Sequence, residues 1–194
     1  MRSLGYYRRH KFKLLFLVIA LLIVVATQSG WINKGSKLAQ TNDPGLYSID
    51  HYVDGDTIAV NMNGTVETIR FIGVDTPETH KPNTPVQCFG PEAAANTKAL
   101  ISKFGKVRLQ ADALDTNRDV YGRLLRYVYL PDGTLLDEKI IQDGYGFAYL
   151  DFPFSKKPQF AADQGAAQSA KRGLWAVCNP TINKYGGYTS NPAS

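Results

Sequence analysis

Three short clusters of charged residues have the residue types that phosphate chemistry needs. They are VDGDTI at 53–58, RFIGVDTPE at 70–78 and DVYGR at 119–123. Each has an ordinary structural interpretation when taken alone: an Asp-Gly turn, an ion pair at a strand end and a Tyr-Gly turn. Together they supply oxygen ligands for a hard cation, two guanidinium groups and a carboxylate. These are the groups that hydrolysis of a phosphodiester requires.

Two aspartates and a threonine are the candidates for a metal site. Asp56 and Asp75 stand at the ends of neighbouring predicted strands and can each supply a carboxylate, and Thr76 can add its main-chain carbonyl. Hard divalent cations take several oxygen ligands, about six to eight for Ca²⁺, and waters can complete such a shell. The donor set therefore favours Ca²⁺ or Mg²⁺ over Zn²⁺.

Two arginines and a glutamate complete the candidate site. Arg70 and Arg123 lie on separate predicted strands and could bind one phosphate bidentately, because the guanidinium fork matches phosphate oxygens. Glu78 follows Asp75 closely enough to lie over the same site, where it could orient or deprotonate an attacking water. Alanine in place of Arg70, Glu78 or Arg123 is expected to abolish most activity and to leave the fold intact.

The elements that must position these residues are a small barrel and its helices. LYSIDHYV (46–53) and TIAVNM (57–62) alternate apolar and polar residues, and Asn63-Gly64 is a strong hairpin signal. The pattern predicts further strands at 65–74, 106–112 and 123–130, and helices at 91–104, 134–144 and 158–175. The fold class is therefore α+β, a five-stranded β-barrel with three helices.

The first 32 residues differ from the rest and predict export. Residues 1–13 carry five basic side chains and no acid, residues 14–26 are apolar, and the chain stays uncharged to residue 32. A basic start before an apolar run is typical of a signal peptide, and the longer stretch could span a bilayer as a helix. We expect a basic cytoplasmic segment (1–13) and an N-terminal hydrophobic helix (14–32), either a cleaved signal peptide or a transmembrane signal-anchor.

The rest of the chain is predicted to lie outside the cytoplasm. It divides into a linker (33–45), a folded domain (46–178) and a flexible tail (179–194). In an exported chain Cys88 and Cys178 could form a disulfide, although two separate thiols are the alternative.

The net charge of the folded part is close to zero. Five of the 22 Lys and Arg residues lie in 1–13, so the remaining chain carries 17 basic and 17 acidic side chains. The alkaline pI therefore belongs to the leader segment. Any binding of a polyanion by the domain must come from the local placement of charges.

Four motifs in this order resemble the staphylococcal nuclease (thermonuclease) family: VDGDTI, RFIGVDTPET (70–79), GPEAAANTK (90–98) and DVYGR. The resemblance covers about residues 47–175. It implies an OB-fold barrel of five strands with three helices. It also implies a monomeric, Ca²⁺-dependent endonuclease that cleaves DNA and RNA, preferably single-stranded, and leaves 3′-phosphorylated ends.

The functional residues of the family carry over by motif. The residues that match calcium ligands are Asp56, Asp75 and, through its carbonyl, Thr76. The residues that match catalytic groups are Arg70, Glu78 and Arg123. The residues that match nucleotide contacts are Tyr121, Leu125 and Tyr149.

Two positions depart from the family pattern. Val120 stands where a lysine usually binds a nucleotide phosphate, and Arg118 could compensate from nearby. Asp151 stands where the second of two tyrosines flanks the base, and Phe152 or Phe154 could stack there instead. The nucleotide pocket is therefore expected to be present but altered.

Two other functions remain open on the sequence. The same barrel could bind single-stranded nucleic acid without catalysis, although the presence of all five candidate ligands and catalytic side chains favours an enzyme. A membrane-tethered component of DNA uptake is compatible with the N-terminal segment but is not required by it. An assay for cleavage of nucleic acid distinguishes the binding module from an enzyme. Cell fractionation tests whether the protein is tethered to the membrane.

Overall fold

The computed structural model describes residues 45–79 and 85–193, which belong to one compact unit, Pro44–Ser194. The basic segment (1–13), the hydrophobic helix (14–32) and all but the last residue of the linker (33–45) lie outside the described residues. In the described part, no helix is long and apolar enough to cross a bilayer. The N-terminal hydrophobic helix therefore stays a prediction.

Five strands form a closed barrel, which confirms the predicted five-stranded architecture. They are β1 (Leu46–Tyr52), β2 (Thr57–Met62), β3 (Thr65–Phe71), β5 (Lys106–Gln110) and β6 (Leu124–Tyr129). Their order around the barrel is β1-β2-β3-β6-β5, and of these pairs only β3–β6 is parallel. The register sets Arg70 of β3 opposite Thr57 on one side and Leu125 on the other.

Two short strands form a small sheet of their own. β4 (Val74–Asp75) pairs antiparallel with β7 (Phe147–Ala148), and Asp75 lies opposite Phe147. The sequence predicts a single strand over 65–74, but a turn at Ile72-Gly73 divides it. Gly73 has a φ of 71°, a left-handed conformation that favours glycine. As a result Asp75 and Arg70 lie on different sheets.

The three predicted helices are present beside the barrel. They are α1 (Gly90–Ser102), α2 (Leu136–Gln142) and α3 (Lys157–Ser169). The third is shorter than predicted, and a one-turn helix α4 (Leu174–Val177) follows it. The chain turns between α3 and α4, where Leu174 N donates a hydrogen bond to Gly144 O at 2.9 Å. This contact with a distant loop is not visible in the local pattern.

One apolar core joins the barrel interior to the helices. Phe160 of α3 lies with its ring centre 6.3 Å from that of Tyr127 on β6 and 5.5 Å from that of Phe154. All three side chains are buried. Burial of a large apolar side chain contributes roughly 1.5–3 kcal/mol. The core therefore fixes the strands that carry the candidate site.

Residues 178–193 pack on the domain, although the sequence predicts a flexible tail (179–194). Cys178 forms a disulfide with Cys88. Beyond it, β8 (Thr181–Ile182) pairs antiparallel with β9 (Tyr188–Thr189). The ring centre of Tyr188 lies 6.2 Å from that of Phe147 and 5.0 Å from that of Trp175. These aromatic contacts, within a polar and glycine-rich stretch, hold the segment in place.

Asp137 is a carboxyl buried in the core, outside the three charged clusters. It is fully buried, and its Oδ2 accepts a hydrogen bond from Val128 N at 2.8 Å. Burial raises the pKa of Asp137 well above its ordinary value. The folded chain therefore keeps a proton that the unfolded chain releases near pH 4. Stability should fall as pH rises from about 4 toward the raised pKa, by up to about 1.4 kcal/mol per pH unit.

Replacing Asp137 by asparagine should remove this contribution to the pH dependence of stability. Asparagine keeps an oxygen that accepts the Val128 hydrogen bond but binds no proton, so the loss of stability between about pH 5 and about pH 8 should be smaller. Urea unfolding at several pH values measures it. Asp151→Asn, at an exposed position, should keep the wild-type slope. Equal slopes for the wild type and Asp137→Asn would contradict a raised pKa.

Candidate active site

The Asp-Gly-Asp turn before β2 is held from two sides. Asp54 Oδ1 accepts a hydrogen bond from Asp56 N at 3.0 Å, which closes the turn. Gly55 passes so close to Thr76 that a Cβ on Gly55 would lie 2.7 Å from Thr76 Oγ1, so only glycine fits. Thr97 of α1 donates from its Oγ1 to Gly55 O at 2.6 Å. The turn is therefore fixed between α1 and the segment after β4.

The Asp56 carboxylate joins two of the three clusters. Its Oδ2 accepts hydrogen bonds from Thr76 N at 2.7 Å and Thr76 Oγ1 at 3.0 Å. Its Oδ1 accepts a hydrogen bond from Thr57 Oγ1 at 3.0 Å. Asp56 is 4% exposed, so these contacts compensate the cost of burying its charge. Asp56 and Thr76 are thus in direct contact, through the N–H and hydroxyl of Thr76.

Arg70 brings the two candidate carboxylates together. Its Nη1 lies 2.9 Å from Asp56 Oδ1, and its Nη2 lies 2.9 Å from Asp75 Oδ1. Nη1 also donates to Val74 O at 2.7 Å. The side chain is only 12% exposed. One buried guanidinium therefore joins Asp56, before β2, to Asp75, on the separate small sheet.

Three aspartates, Asp54, Asp56 and Asp75, act electrostatically on this single guanidinium. Burial, followed by repulsion from Asp56, raises the pKa of Asp54 to about 7. The Asp75 side chain is 47% exposed and opens the cluster to solvent. The cluster holds more carboxyl groups than cationic groups, and a bound cation would offset the difference.

The residues present fit a hard cation with water in its shell. Among residues 45–79 and 85–193, no three His, Cys, Asp or Glu side chains are grouped so that they could hold a metal ion by themselves. The candidates Asp56, Asp75 and Thr76 offer only oxygen donors, next to surplus carboxyl groups. Oxygen donors with several waters suit Ca²⁺, whereas Zn²⁺ prefers nitrogen and sulfur.

The DVYGR loop orients Arg123. The parallel pairing of β3 and β6 places Arg123, just before β6, beside the strand that carries Arg70. Asp119 Oδ2 accepts a hydrogen bond from Arg123 Nε at 2.6 Å, and Asp119 Oδ1 accepts one from Arg123 N at 2.9 Å. The guanidinium carbon lies 5.4 Å from the centre of the Tyr121 ring. The Arg123 side chain remains 30% exposed.

Glu78 lies two residues after Thr76, which Asp56 holds in place. Its N–H donates to Gln87 Oε1 at 2.8 Å, and its carbonyl accepts a hydrogen bond from Gln87 N at 2.9 Å. Its Oε1 accepts a hydrogen bond from Thr79 N at 3.0 Å. The structure thus brings Asp56, Asp75 and Thr76 together around Arg70, and it fixes the main chain of Glu78 close to them in sequence.

Tyr149 and Phe152 form an aromatic pair beside the aspartate cluster. Tyr149 is 37% exposed, and burial, with added repulsion from Asp151 and Asp75, raises the pKa of its phenol. The ring centres of Tyr149 and Phe152 are 5.6 Å apart, and Phe152 is 55% exposed. Phe154 is buried in the core. Of the two phenylalanines predicted as stacking partners, Phe152 is therefore the one exposed to solvent.

The surface around Arg123 carries exposed apolar and aromatic side chains and one exposed ion pair. Val120 and Tyr121 are strongly exposed, and Leu125 is half-buried opposite Arg70. Arg118, however, binds Glu67 through both Nη1 and Nη2 at 2.9 Å. Its guanidinium is engaged in that ion pair. In the structure Arg118 is thus paired with Glu67, and its predicted contact with a nucleotide phosphate in place of the lysine missing at Val120 stays a prediction.

Comparison with known proteins connects this arrangement to one family. A family model described as "Staphylococcal nuclease homologue" matches residues 68–177, more than half of the chain. A thermonuclease from Staphylococcus hyicus is 38% identical over 167 residues, which cover 84% of this chain and 95% of the relative. The chain belongs to the staphylococcal nuclease family.

Two relatives from Bacillus subtilis (strain 168) are longer than the region matched. The SPbeta prophage-derived endonuclease YokF is 44% identical over 131 residues, covering 66% of this chain and 43% of the relative. Endonuclease YncB is 41% identical over 139 residues, covering 71% of this chain and 64% of the relative. This member of the staphylococcal nuclease family therefore matches only about two-fifths to two-thirds of the length of these relatives.

Three residues that position the site in this family member were not identified from the sequence. Thr97 anchors Gly55, Asp119 binds Arg123, and Gln87 binds Glu78. Asp119 lies within the DVYGR motif, four residues before Arg123, so a turn contact was a detectable signal. Thr97 is a single polar residue inside a predicted helix. Gln87 carried no signal, because its partner lies nine positions earlier in the chain.

Replacing Arg70 by alanine should destabilise the fold, in contrast to the expectation from sequence. The substitution leaves Asp56 buried without its cation and Asp75 without its ion-pair partner. Loss of one partner from a buried ion pair typically costs about 3–5 kcal/mol. Urea unfolding measures the loss, and the activity per folded molecule should fall as well.

Arg118→Ala is a matched control for this prediction. It removes a solvent-exposed arginine that pairs with Glu67. Exposed ion pairs contribute little to stability, so this variant should unfold close to the wild type. Equal losses of stability in the Arg70 and Arg118 variants would contradict the structural role of Arg70.

Proposed function

We propose that this chain is a Ca²⁺-dependent nuclease that hydrolyses phosphodiester bonds of DNA and RNA. The observation that carries the proposal is the contact of buried Arg70 with both Asp56 and Asp75 at 2.9 Å. This contact supports a site in which oxygen ligands for a cation lie next to a guanidinium group, as phosphate chemistry requires. Membership of a family with relatives named endonuclease and thermonuclease supports the same activity.

The proposed calcium ligands are the carboxylates of Asp56 and Asp75, the carbonyl of Thr76 and water. When bound, the ion supplies Lewis-acid stabilisation of the charge that develops on a phosphate oxygen. Arg70 holds the two carboxylates in fixed positions, and we also propose for it the catalytic role that its motif predicts, donation to a phosphate oxygen. Asp54 adds a further carboxyl group close to them, in a turn that Thr97 keeps in place.

In the proposed reaction Arg123 stabilises negative charge on the phosphate and Glu78 accepts a proton from water. Arg123, oriented by Asp119, donates hydrogen bonds to phosphate oxygens and stabilises their charge in the transition state. Glu78 orients a water molecule and accepts its proton as the water oxygen bonds to phosphorus. The bond from phosphorus to the 5′ oxygen breaks. That oxygen leaves as a hydroxyl with a proton from solvent, and the phosphate stays on the 3′ oxygen.

We propose a preference for single strands because of the aromatic pair. Tyr149 and Phe152 expose neighbouring rings on which an unpaired base can stack, and such stacking contributes about 1–3 kcal/mol per base. Tyr121 and Leu125 are proposed as further nucleotide contacts beside Arg123. The absence of a cation at Val120 should weaken phosphate binding relative to family members with lysine there.

We further propose that the protein acts outside the cytoplasm as a monomer, either anchored by residues 14–32 or secreted after cleavage. The disulfide between Cys88 and Cys178 supports an oxidising compartment. Fractionation combined with protease treatment of intact cells tests this. Surface-exposed protein in the membrane fraction supports an anchor, and protein in the medium supports secretion. Protein found only in the cytoplasm would contradict both.

The proposed activity is tested by incubating the chain with heat-denatured DNA and with RNA, in Ca²⁺ and in chelator. Cleavage of both substrates in Ca²⁺ alone is the expected result. The alternative is an inactive module that binds single-stranded nucleic acid. It would retard the substrates on a native gel and leave them intact under every cation tried.

A further inference from the structure

The main chain of Glu78 is bound on both its N–H and its carbonyl by one residue, Gln87. The Glu78 N–H donates to Gln87 Oε1 at 2.8 Å, and the Glu78 carbonyl accepts from Gln87 N at 2.9 Å. These two bonds satisfy both main-chain groups of Glu78 and fix its backbone, and so the direction of its Cα–Cβ bond. The point from which the Glu78 side chain extends toward the site therefore depends on where Gln87 lies.

Gln87 is in turn fixed by residues 188–193, which we call the C-terminal strap. Gln87 Nε2 donates to Thr189 Oγ1 at 3.3 Å. On either side of Gln87 the main chain pairs with the strap like an added strand. Cys88 N donates to Asn191 O at 2.8 Å, and Ala193 N donates to Val86 O at 2.9 Å. Gln87 thus connects the main chain of Glu78 to the strap.

The strap is anchored to the rest of the domain by a disulfide and an aromatic cluster. Cys88, next to Gln87, is bonded to Cys178, and its carbonyl accepts a hydrogen bond from Ser190 Oγ at 2.8 Å. The Tyr188 ring stacks on Phe147, which is the residue opposite Asp75 in the small sheet. The strap therefore rests on the same sheet that carries a metal-ligand candidate.

We propose that Gln87 is a positioning residue for Glu78, and that the C-terminal strap with the Cys88–Cys178 disulfide is the brace that holds Gln87. This inference rests on the proposed nuclease function. It assigns a role in the reaction to residues 188–193, which the sequence predicts as part of a flexible tail. Gln87 touches neither substrate nor metal in this scheme and acts only through Glu78.

The brace should affect the chemical step more than substrate binding. The proposed base contacts, Tyr149 and Phe152, lie elsewhere, so a shift of Glu78 leaves them in place. Small misplacements of a catalytic group can cost about 100-fold in rate. A loss confined to kcat is the signature of an interaction that matters in the transition state.

The test compares the 194-residue chain with its Gln87→Met variant on a short single-stranded DNA in saturating Ca²⁺. Methionine has a similar length but neither accepts from Glu78 N nor donates to Thr189. We expect kcat to fall about 10-fold to 100-fold, with KM unchanged within about twofold. Gln159→Met, on α3, is the matched control and should keep both constants. Circular dichroism and urea unfolding establish that each variant is folded at the assay temperature.

A second pair of variants keeps the test informative if Gln87→Met does not fold. Thr189→Val and Ser190→Ala remove strap contacts but keep the Gln87 side chain and its bond to Glu78, so each should lower kcat by a smaller factor with an unchanged KM. A folded Gln87→Met variant with the kcat of the wild type would overturn the inference. If Gln87→Met does not fold, the wild-type kcat in both strap variants would overturn it. A wild-type chain that cleaves nothing would instead overturn the proposed function.

Discussion

Arg123→Ala should lower the rate of DNA cleavage by at least about 100-fold while the fold stays intact. Arg123 is 30% exposed, and among the described residues its side-chain contacts are with its own loop, at Asp119 and Tyr121. Its removal leaves Asp119, whose side chain is 15% exposed, without its cation, so a modest loss of stability is expected in a chain that stays folded. Loss of one preoriented donor to a developing oxyanion costs about 100-fold to 1,000-fold in kcat. Single-turnover cleavage of a short single-stranded DNA measures the rate, and urea unfolding measures the stability.

Arg108→Ala is the matched control for Arg123. Arg108 lies exposed on β5, so its removal changes the net charge by the same amount away from the candidate site. It should retain most of the wild-type rate at moderate ionic strength. If the Arg123 variant kept the wild-type rate, Arg123 would have no part in catalysis.

Glu78→Gln should lower the rate by about 100-fold to 10,000-fold, the range typical of a lost general base. Glutamine cannot accept the proton of water at neutral pH. It preserves the hydrogen bonds between Glu78 and Gln87, since both use main-chain atoms of Glu78. The carbonyl oxygen of the new amide can also accept from Thr79 N. The variant therefore changes the chemistry of the side chain and leaves its support in place.

The measurement for Glu78→Gln pairs the single-turnover rate with DNA affinity in the presence of chelator. Affinity should stay near the wild-type value or rise, because one negative charge is removed. Glu92→Gln, at an exposed position in the first turn of α1, is the control. A rate within about threefold of wild type would show that Glu78 is no base, and water activation would then need another group.

The fold could be predicted from the sequence where local pattern decides the structure. The alternation in 46–62 and the Asn63-Gly64 turn predict β1, β2 and the return strand, and all three are present. Division of the return strand at Gly73 and of the last helix before Gly173 depends on contacts with distant loops. A local pattern does not contain those contacts, so both elements are predicted too long.

The candidate site could be predicted as a set of residue types but not as a set of contacts. Motif order identified Asp56, Arg70 and Asp75 as functional candidates. It did not show that a largely buried Arg70 would form ion pairs with both aspartates. The loss of stability expected on its removal follows only from the structure. The predicted roles of these residues in metal binding and catalysis remain proposals.

The C-terminal segment shows a second limit of local reasoning. Residues 179–194 contain Gly, Pro, Ser and Asn in a pattern typical of a loose tail. Tyr188 packs against Phe147 and Trp175, and the disulfide holds Cys178 against Cys88. Long-range contacts of single residues outweigh the composition of the stretch around them.

The measurement that tests the central claim most directly is the rate of DNA cleavage as a function of free Ca²⁺, for the wild type and Asp75→Asn. Asp75 is the partly exposed ligand candidate, and asparagine keeps an oxygen for Arg70 while removing the charge. The wild type should be inactive in chelator and saturate with Ca²⁺, and the variant should need at least about tenfold more Ca²⁺. Cleavage in chelator, or identical Ca²⁺ curves for the two proteins, would contradict the proposed calcium site.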